Sequence, residues 1–86
     1  MTNYNGWSNW ATWNMNMWMD NEEQLYADKM RFLRRTVTLT EKNVREFVML
    51  YFPNGTPDMN KKEFEQVNWT EIAESWESEQ DDPIDI

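Results

Sequence analysis

The sequence predicts an all-α fold: a small single domain of four to five short helices around a core rich in Trp and Met. Three observations predict it. Apolar residues recur at helical spacing, most plainly in Val44, Phe47, Val48 and Tyr51, which form a one-face stripe. Asn, Ser or Thr residues that can accept from a helix's first free N–H groups precede such runs. Six Trp, seven Met, four Phe and three Tyr among 86 residues supply the core. Each aromatic removes about 150–250 Å² from water. Side chains that large matter because so small a domain buries only about 60–65% of its unfolded surface.

Residues 1–7 read as an irregular arm, with Asn5-Gly6 as a turn signal. Ser8 is the expected N-cap of a helix over 9–19. Trp10, Trp13, Met15, Met17, Trp18 and Met19 cover most of its circumference, the pattern of a central, buried helix. Thr12 and Asn16 form its expected narrow polar side, and Asn14, inside the apolar arc, needs a hydrogen-bond partner if buried. The alternation Trp13-Asn14-Met15-Asn16-Met17 also fits a strand, but near-absence of β-branched residues here favours helix.

Asn21 with Gln24 resembles a capping box for a second helix over 22–35. Leu25, Tyr26, Lys29, Met30, Phe32 and Leu33 lie on one side of it, and Arg34 and Arg35 complement the dipole at its end. Residues 36–39 alternate and are rich in β-branched side chains, fitting a short strand with no evident partner. Thr40 is the expected N-cap of a third helix over 41–52, closed by Pro53-Asn54-Gly55-Thr56-Pro57. Asn60 with Glu63, and Asn68 with Glu71, repeat the capping signature. They open a short helix to Val67 and a last helix over 69–79. Trp13, Trp18, Phe47, Trp69 and Ile72 are the expected core. Residues 1–79 form the helical domain and 80–86 an acidic tail.

Composition excludes much chemistry. The chain has no Cys and no His, which removes disulfides, thiol nucleophiles, imidazole acid–base work and the usual metal ligands. Two Gly leave no room for a Gly-rich phosphate loop. No apolar run approaches the ~20 residues that span a bilayer, and the start lacks the pattern of a secretory signal. The expectation is a soluble, intracellular, acidic protein with no cofactor, no metal and no catalytic residues. Asp81, Asp82 and Asp85 sit in the expected tail, a poor place to hold catalytic geometry.

The net charge of −8 is unevenly spread. Residues 29–45 hold six bases (Lys29, Arg31, Arg34, Arg35, Lys42, Arg45) against Glu41 alone. From Glu63 onward there are nine acids and no base. Such a surface repels nucleic acid and attracts cationic partners. Glu63, Glu71, Glu74, Glu77, Glu79, Asp81 and Asp82 are the candidate partner-binding carboxylates, since spaced carboxylates imitate a DNA backbone carrying a charge every ~1.7 Å. Trp7 and Trp10, next to the arm, are the candidate exposed aromatics. The alternative reading uses Arg31, Arg34, Arg35 and Arg45 to bind nucleic acid.

Gly6-Trp7-Ser8-Asn9-Trp10-Ala11-Thr12-Trp13-Asn14, followed by Met17-Trp18-Met19-Asp20-Asn21, resembles the N-terminal motif of a family of short phage and plasmid proteins of unknown function. Val67-Asn68-Trp69-Thr70-Glu71-Ile72-Ala73-Glu74 resembles the segment in which that family often ends. Trp10, Met15 and Met17 stand where Tyr, Val and Leu are common, which are apolar exchanges. Residues 27–62 carry no resemblance. The resemblance implies a mobile genetic element acting in the bacterial host cytoplasm. With the acidic surface, it leads to the expectation of a phage-encoded inhibitor. Its partner would be a host defence protein, a CRISPR effector or a restriction enzyme, denied its nucleic acid by DNA mimicry. A nucleic-acid accessory factor using residues 29–45, or a structural interaction module for another phage protein, are the alternatives.

Overall fold

A computed structural model describes residues 6–80. Its helices follow in the order α1 (Trp10–Asn21), α2 (Glu23–Arg35), α3 (Glu41–Met49), α4 (Lys61–Phe64) and α5 (Trp69–Gln80). No strand forms among the described residues; residues 36–39 are an irregular link in which Val37 is 93% exposed and Leu39 turns into the core. A lone strand would leave its backbone groups without a ladder. Here the carbonyl of Thr38 accepts from the Asn43 side chain instead.

The caps set the helix ends, and they differ from expectation in detail. Asn9, not Ser8, caps α1, its Oδ1 accepting from the Thr12 N–H at 2.9 Å. Ser8 is drawn away to the carboxylate of Glu71. The Asn21–Gln24 box does not form, because α1 runs on through Asn21 and Gln24 donates to Asp28 along α2. Glu22 is then the single residue between α1 and α2. Reciprocal capping boxes do form at Thr40/Asn43 and Asn60/Glu63. The third helix ends at Met49 rather than residue 52, where tighter bonds take over: Leu50 N–H to Phe47, Tyr51 N–H to Val48. Gly55 makes the following turn with φ of +95°, a conformation that suits glycine.

Helix α5 is the central element, packing against α1, α2 and α3. Trp76 lies at the middle of it, fully buried. Its ring meets Phe32 and Phe47 edge-on, with centroids 6.4 and 6.2 Å away, while Phe32 and Phe47 stack on each other at 4.3 Å. Ala11, Met15 and Met19 of α1, Leu33 of α2, Val44 and Val48 of α3 and Ile72 of α5 complete the core. Of the five expected core residues, Phe47 and Ile72 are buried, whereas Trp13, Trp18 and Trp69 are half-buried.

The polar side of α1 faces inward, against expectation. Thr12 is fully buried and its hydroxyl oxygen accepts from the Asn68 N–H at 2.8 Å. Asn16 accepts from the Trp76 indole at 3.0 Å. Asn14 is buried and satisfied on both sides: its amide donates to Asp58 and its oxygen accepts from the Thr56 hydroxyl. With those polar atoms paired, the inward face keeps its hydrogen bonds, and Trp13, Met17 and Trp18 are left half-exposed. Gln80 extends α5 one residue into the expected tail, where its amide donates to the carbonyls of Leu33 and Thr36.

Candidate partner-binding surface

The candidate carboxylates divide into three groups. Glu63, Glu71 and Glu79 are spent inside the fold. Glu63 closes the α4 capping box by accepting from the Asn60 N–H. Glu71 takes both the N–H and the hydroxyl of Ser8, at 3.1 and 2.8 Å, pinning the segment ahead of α1 against α5. Glu79 lies 3.0 Å from the ammonium of Lys29. Glu74 and Glu77 form the second group. They stand exposed, three residues apart on α5, and neither has a partner among the described residues. Asp81 and Asp82, with Asp85, lie outside the described residues.

The candidate aromatics are less free than expected. Trp7 and Trp10 are both half-buried and packed against the core. The Ser8–Glu71 bonds explain this for Trp7, because they hold the lead-in to α1 down on α5. Trp7 still lines an open groove of about 400 Å³, together with Gly6, Glu71, Glu74 and Ser75. One wall of that groove is an indole and the other a helix edge with the unpaired carboxylate of Glu74. An indole beside a carboxylate suits a guanidinium or ammonium, which is attracted to the ring face and bonded by the acid.

The basic segment is split by the fold. Lys29 is fully buried, its ammonium 2.6 Å from Asp20, 3.0 Å from Glu79 and 5.0 Å from the centre of the Trp76 ring. Arg31 pairs with Asp28 one turn back. Arg35 lies over Phe32 at 5.8 Å. Arg34 extends from the end of α2, while Lys42 and Arg45 belong to α3; all three are exposed and without an ion pair among the described residues.

Two acids outside the candidate set each accept from several side chains. Asp58 accepts from the Asn14 amide and the Trp18 indole, both at 2.9 Å. These bonds, Asn14's first, hold its carboxyl below the usual carboxylate range. Asp28 is likewise held low, chiefly by the Tyr51 hydroxyl at 3.0 Å, with Arg31 and Gln24 adding to it and burial opposing. Tyr51 is pushed up, first by burial and then by its bond to Asp28. Asp58 shows no local sequence signal, since Asn14 and Trp18 lie forty or more residues away; Asp28 has Gln24 and Arg31 on its own helix, but its leading partner, Tyr51, comes from beyond α3. Among the described residues no three acidic side chains gather as a metal ligand set, and no helix is long and apolar enough to cross a membrane.

Residues 1–82 match the model of a family of unknown function, DUF7249. No curated protein and no solved structure matches the chain.

Proposed function

We propose that this chain, which belongs to that family of unknown function, is a small acidic inhibitor that docks on a basic protein surface. The observation that carries the reading is the pair Glu74 and Glu77, exposed on one side of α5 and free of cationic partners among the described residues, beside the groove lined by Trp7. Such carboxylates meet a cationic channel without first breaking internal ion pairs, so little is lost on docking. The net charge of −8 would speed the encounter.

The finer reading joins this surface to the resemblance to short phage and plasmid proteins. The partner is then a host defence protein in the bacterial cytoplasm, a CRISPR effector or a restriction enzyme. The inhibitor occupies the channel meant for nucleic acid. Glu63, Glu71 and Glu79 serve the fold under this reading, and Glu74 and Glu77 serve the partner.

The test is a gel shift with a purified guide-loaded CRISPR effector or restriction enzyme and its duplex. Added protein should prevent the enzyme's shift, and more weakly as salt rises. Replacing Glu74 and Glu77 by Lys should slow association about tenfold or more, since steering acts on the on-rate. Far-UV circular dichroism should show the variant folded. Retardation of the duplex by the free protein would overturn the reading.

A further inference from the structure

The first turn of α5 borders two adjoining cavities that share Arg45 and Trp69. One, of about 270 Å³, is lined by Arg45, Phe64, Glu65, Val67 and Trp69. The other, of about 180 Å³, is lined by Glu41, Lys42, Arg45 and Trp69. Trp69 is half-buried and braced by Phe64, whose ring stands perpendicular to it at 6.2 Å. The indole is therefore held in place while part of it stays open to the groove.

Two cations line the groove beside this ring. Lys42 and Arg45 lie three apart on α3 and so on one side of it. Both are exposed, with no ion pair or hydrogen-bonding partner for their side chains among the described residues. The Thr70 hydroxyl donates to the Glu41 carboxylate at 2.6 Å, so the first turns of α3 and α5 lie side by side and Glu41 is partly satisfied. Their positive dipole ends add to the local field. Glu65 is the one exposed acid of the groove left without a side-chain partner.

We propose that this groove binds a single nucleotide, with its base against the Trp69 indole and its phosphate between Arg45 and Lys42. A flat aromatic surface selects a planar ring by stacking and is tolerant of which base it takes. Two unpaired cations at one edge select a doubly charged group, and the Arg fork suits phosphate geometry. The two cavities, of about 270 and 180 Å³ and sharing Arg45 and Trp69, would take the base and the phosphate of one nucleotide. The chain's net charge of −8 opposes further phosphates, so a free mononucleotide is the ligand and a longer strand gains nothing. This site stands on the cations of α3, and its existence is separate from the acidic face of α5.

The experiment is a titration of the full chain, followed by the NMR signal of the Trp69 indole N–H, with adenosine monophosphate, adenosine, inorganic phosphate, an eight-residue oligodeoxyadenylate and an acidic peptide. Adenosine monophosphate should shift the signal saturably, and adenosine or phosphate alone should bind about tenfold or more weakly. Arg45→Ala should weaken the mononucleotide about tenfold, and Glu65→Gln should tighten it, both with unchanged circular dichroism. Four results would each overturn the proposal: no saturable shift with adenosine monophosphate, binding of adenosine or phosphate as tight as that of adenosine monophosphate, an affinity unchanged by Arg45→Ala, or preference for the oligonucleotide or the acidic peptide. None of these bears on the Glu74 and Glu77 variants, so the two readings fail separately.

Discussion

Asn16 on α1 accepts a 3.0 Å hydrogen bond from the indole N–H of Trp76, sixty residues further along the chain. The bond lets a polar residue share the inward side of α1 with Thr12, and it gives the one fully buried Trp a partner for its only donor. Trp76→Ala should cost about 3–5 kcal/mol, a large part of a small domain's stability. Trp76→Phe keeps the contacts to Phe32 and Phe47 but withdraws the donor, and should cost less. Urea denaturation of the two variants checks the order. Equal stability of Trp76→Ala and wild type would place this ring outside the core.

Lys29 tests how much a buried charge is worth here. Its side chain is fully buried, but Asp20 and Glu79 are 36% and 35% exposed, so water reaches both acids if the ammonium is removed. Lys29→Met keeps the stem's packing and should cost no more than about 1 kcal/mol. Lys29→Ala leaves a cavity next to Trp76 and should cost about 2–4 kcal/mol. Denaturant midpoints that fall equally far for Met and Ala would show that the ion pairs, lost in both variants, rather than the packed stem hold the site.

Gly55 has φ of +95°, and a Cβ added there would lie 2.9 Å from the Met59 Cγ and 3.1 Å from the Phe64 Cβ. Gly55→Ala combines a disfavoured backbone with a clash against the segment leading to α4. It should lower stability by about 1–3 kcal/mol, read as a drop in melting temperature. Gly6 also has a positive φ but meets nothing within 4 Å. Gly6→Ala should therefore cost about 1–2 kcal/mol from the backbone alone.

The pH dependence has two limbs. The carboxyls of Asp28 and Asp58 are depressed in the folded state. Their contribution is present above the unfolded value near pH ~4 and lost as pH falls through the lower folded value. The phenol of Tyr51 is raised. Its contribution is present below about pH 10 and lost as pH rises through the folded value. Thermal melts across pH should fall on both sides of a neutral plateau. Tyr51→Phe should flatten the alkaline limb and also Asp28's share of the acid limb, because the two groups share one bond. Asp58→Asn should flatten the acid limb only.

Local signals hold at two capping sites and on one helix face, and fail at Ser8, which Glu71 draws away, and at Asn21 with Gln24, where α1 runs on. The Thr40/Asn43 and Asn60/Glu63 boxes each close over three residues, and the stripe through Val44, Phe47 and Val48 faces the core as its spacing predicts. The face of α1 was not legible in the same way. A helical wheel turns Thr12 and Asn16 outward, and only the distant Asn68 and Trp76 make them better inside. The acidic candidates divide for the same reason. The capping signature marks Glu71 and not Glu74, but nothing local announces Ser8, which occupies the Glu71 carboxylate and leaves Glu74 free. Lys29 was placed on the apolar side of its helix by spacing, while its two carboxylate partners come from α1 and α5.

The long reach of these bonds also sets when the chain can fold as it is made. Ser8, Asn9, Thr12, Asn14, Asn16 and Trp18 each have at least one polar partner between Thr56 and Trp76. At ~5–20 residues per second, the segment that becomes α1 is synthesised seconds before any of those partners. Until then its inward face has nothing to bond but water, so the first helix to be synthesised is among the last to be secured. A chain cut in the 53–57 turn makes the same point at equilibrium: the first piece lacks the partners of the α1 face, and the two should gain helix on mixing.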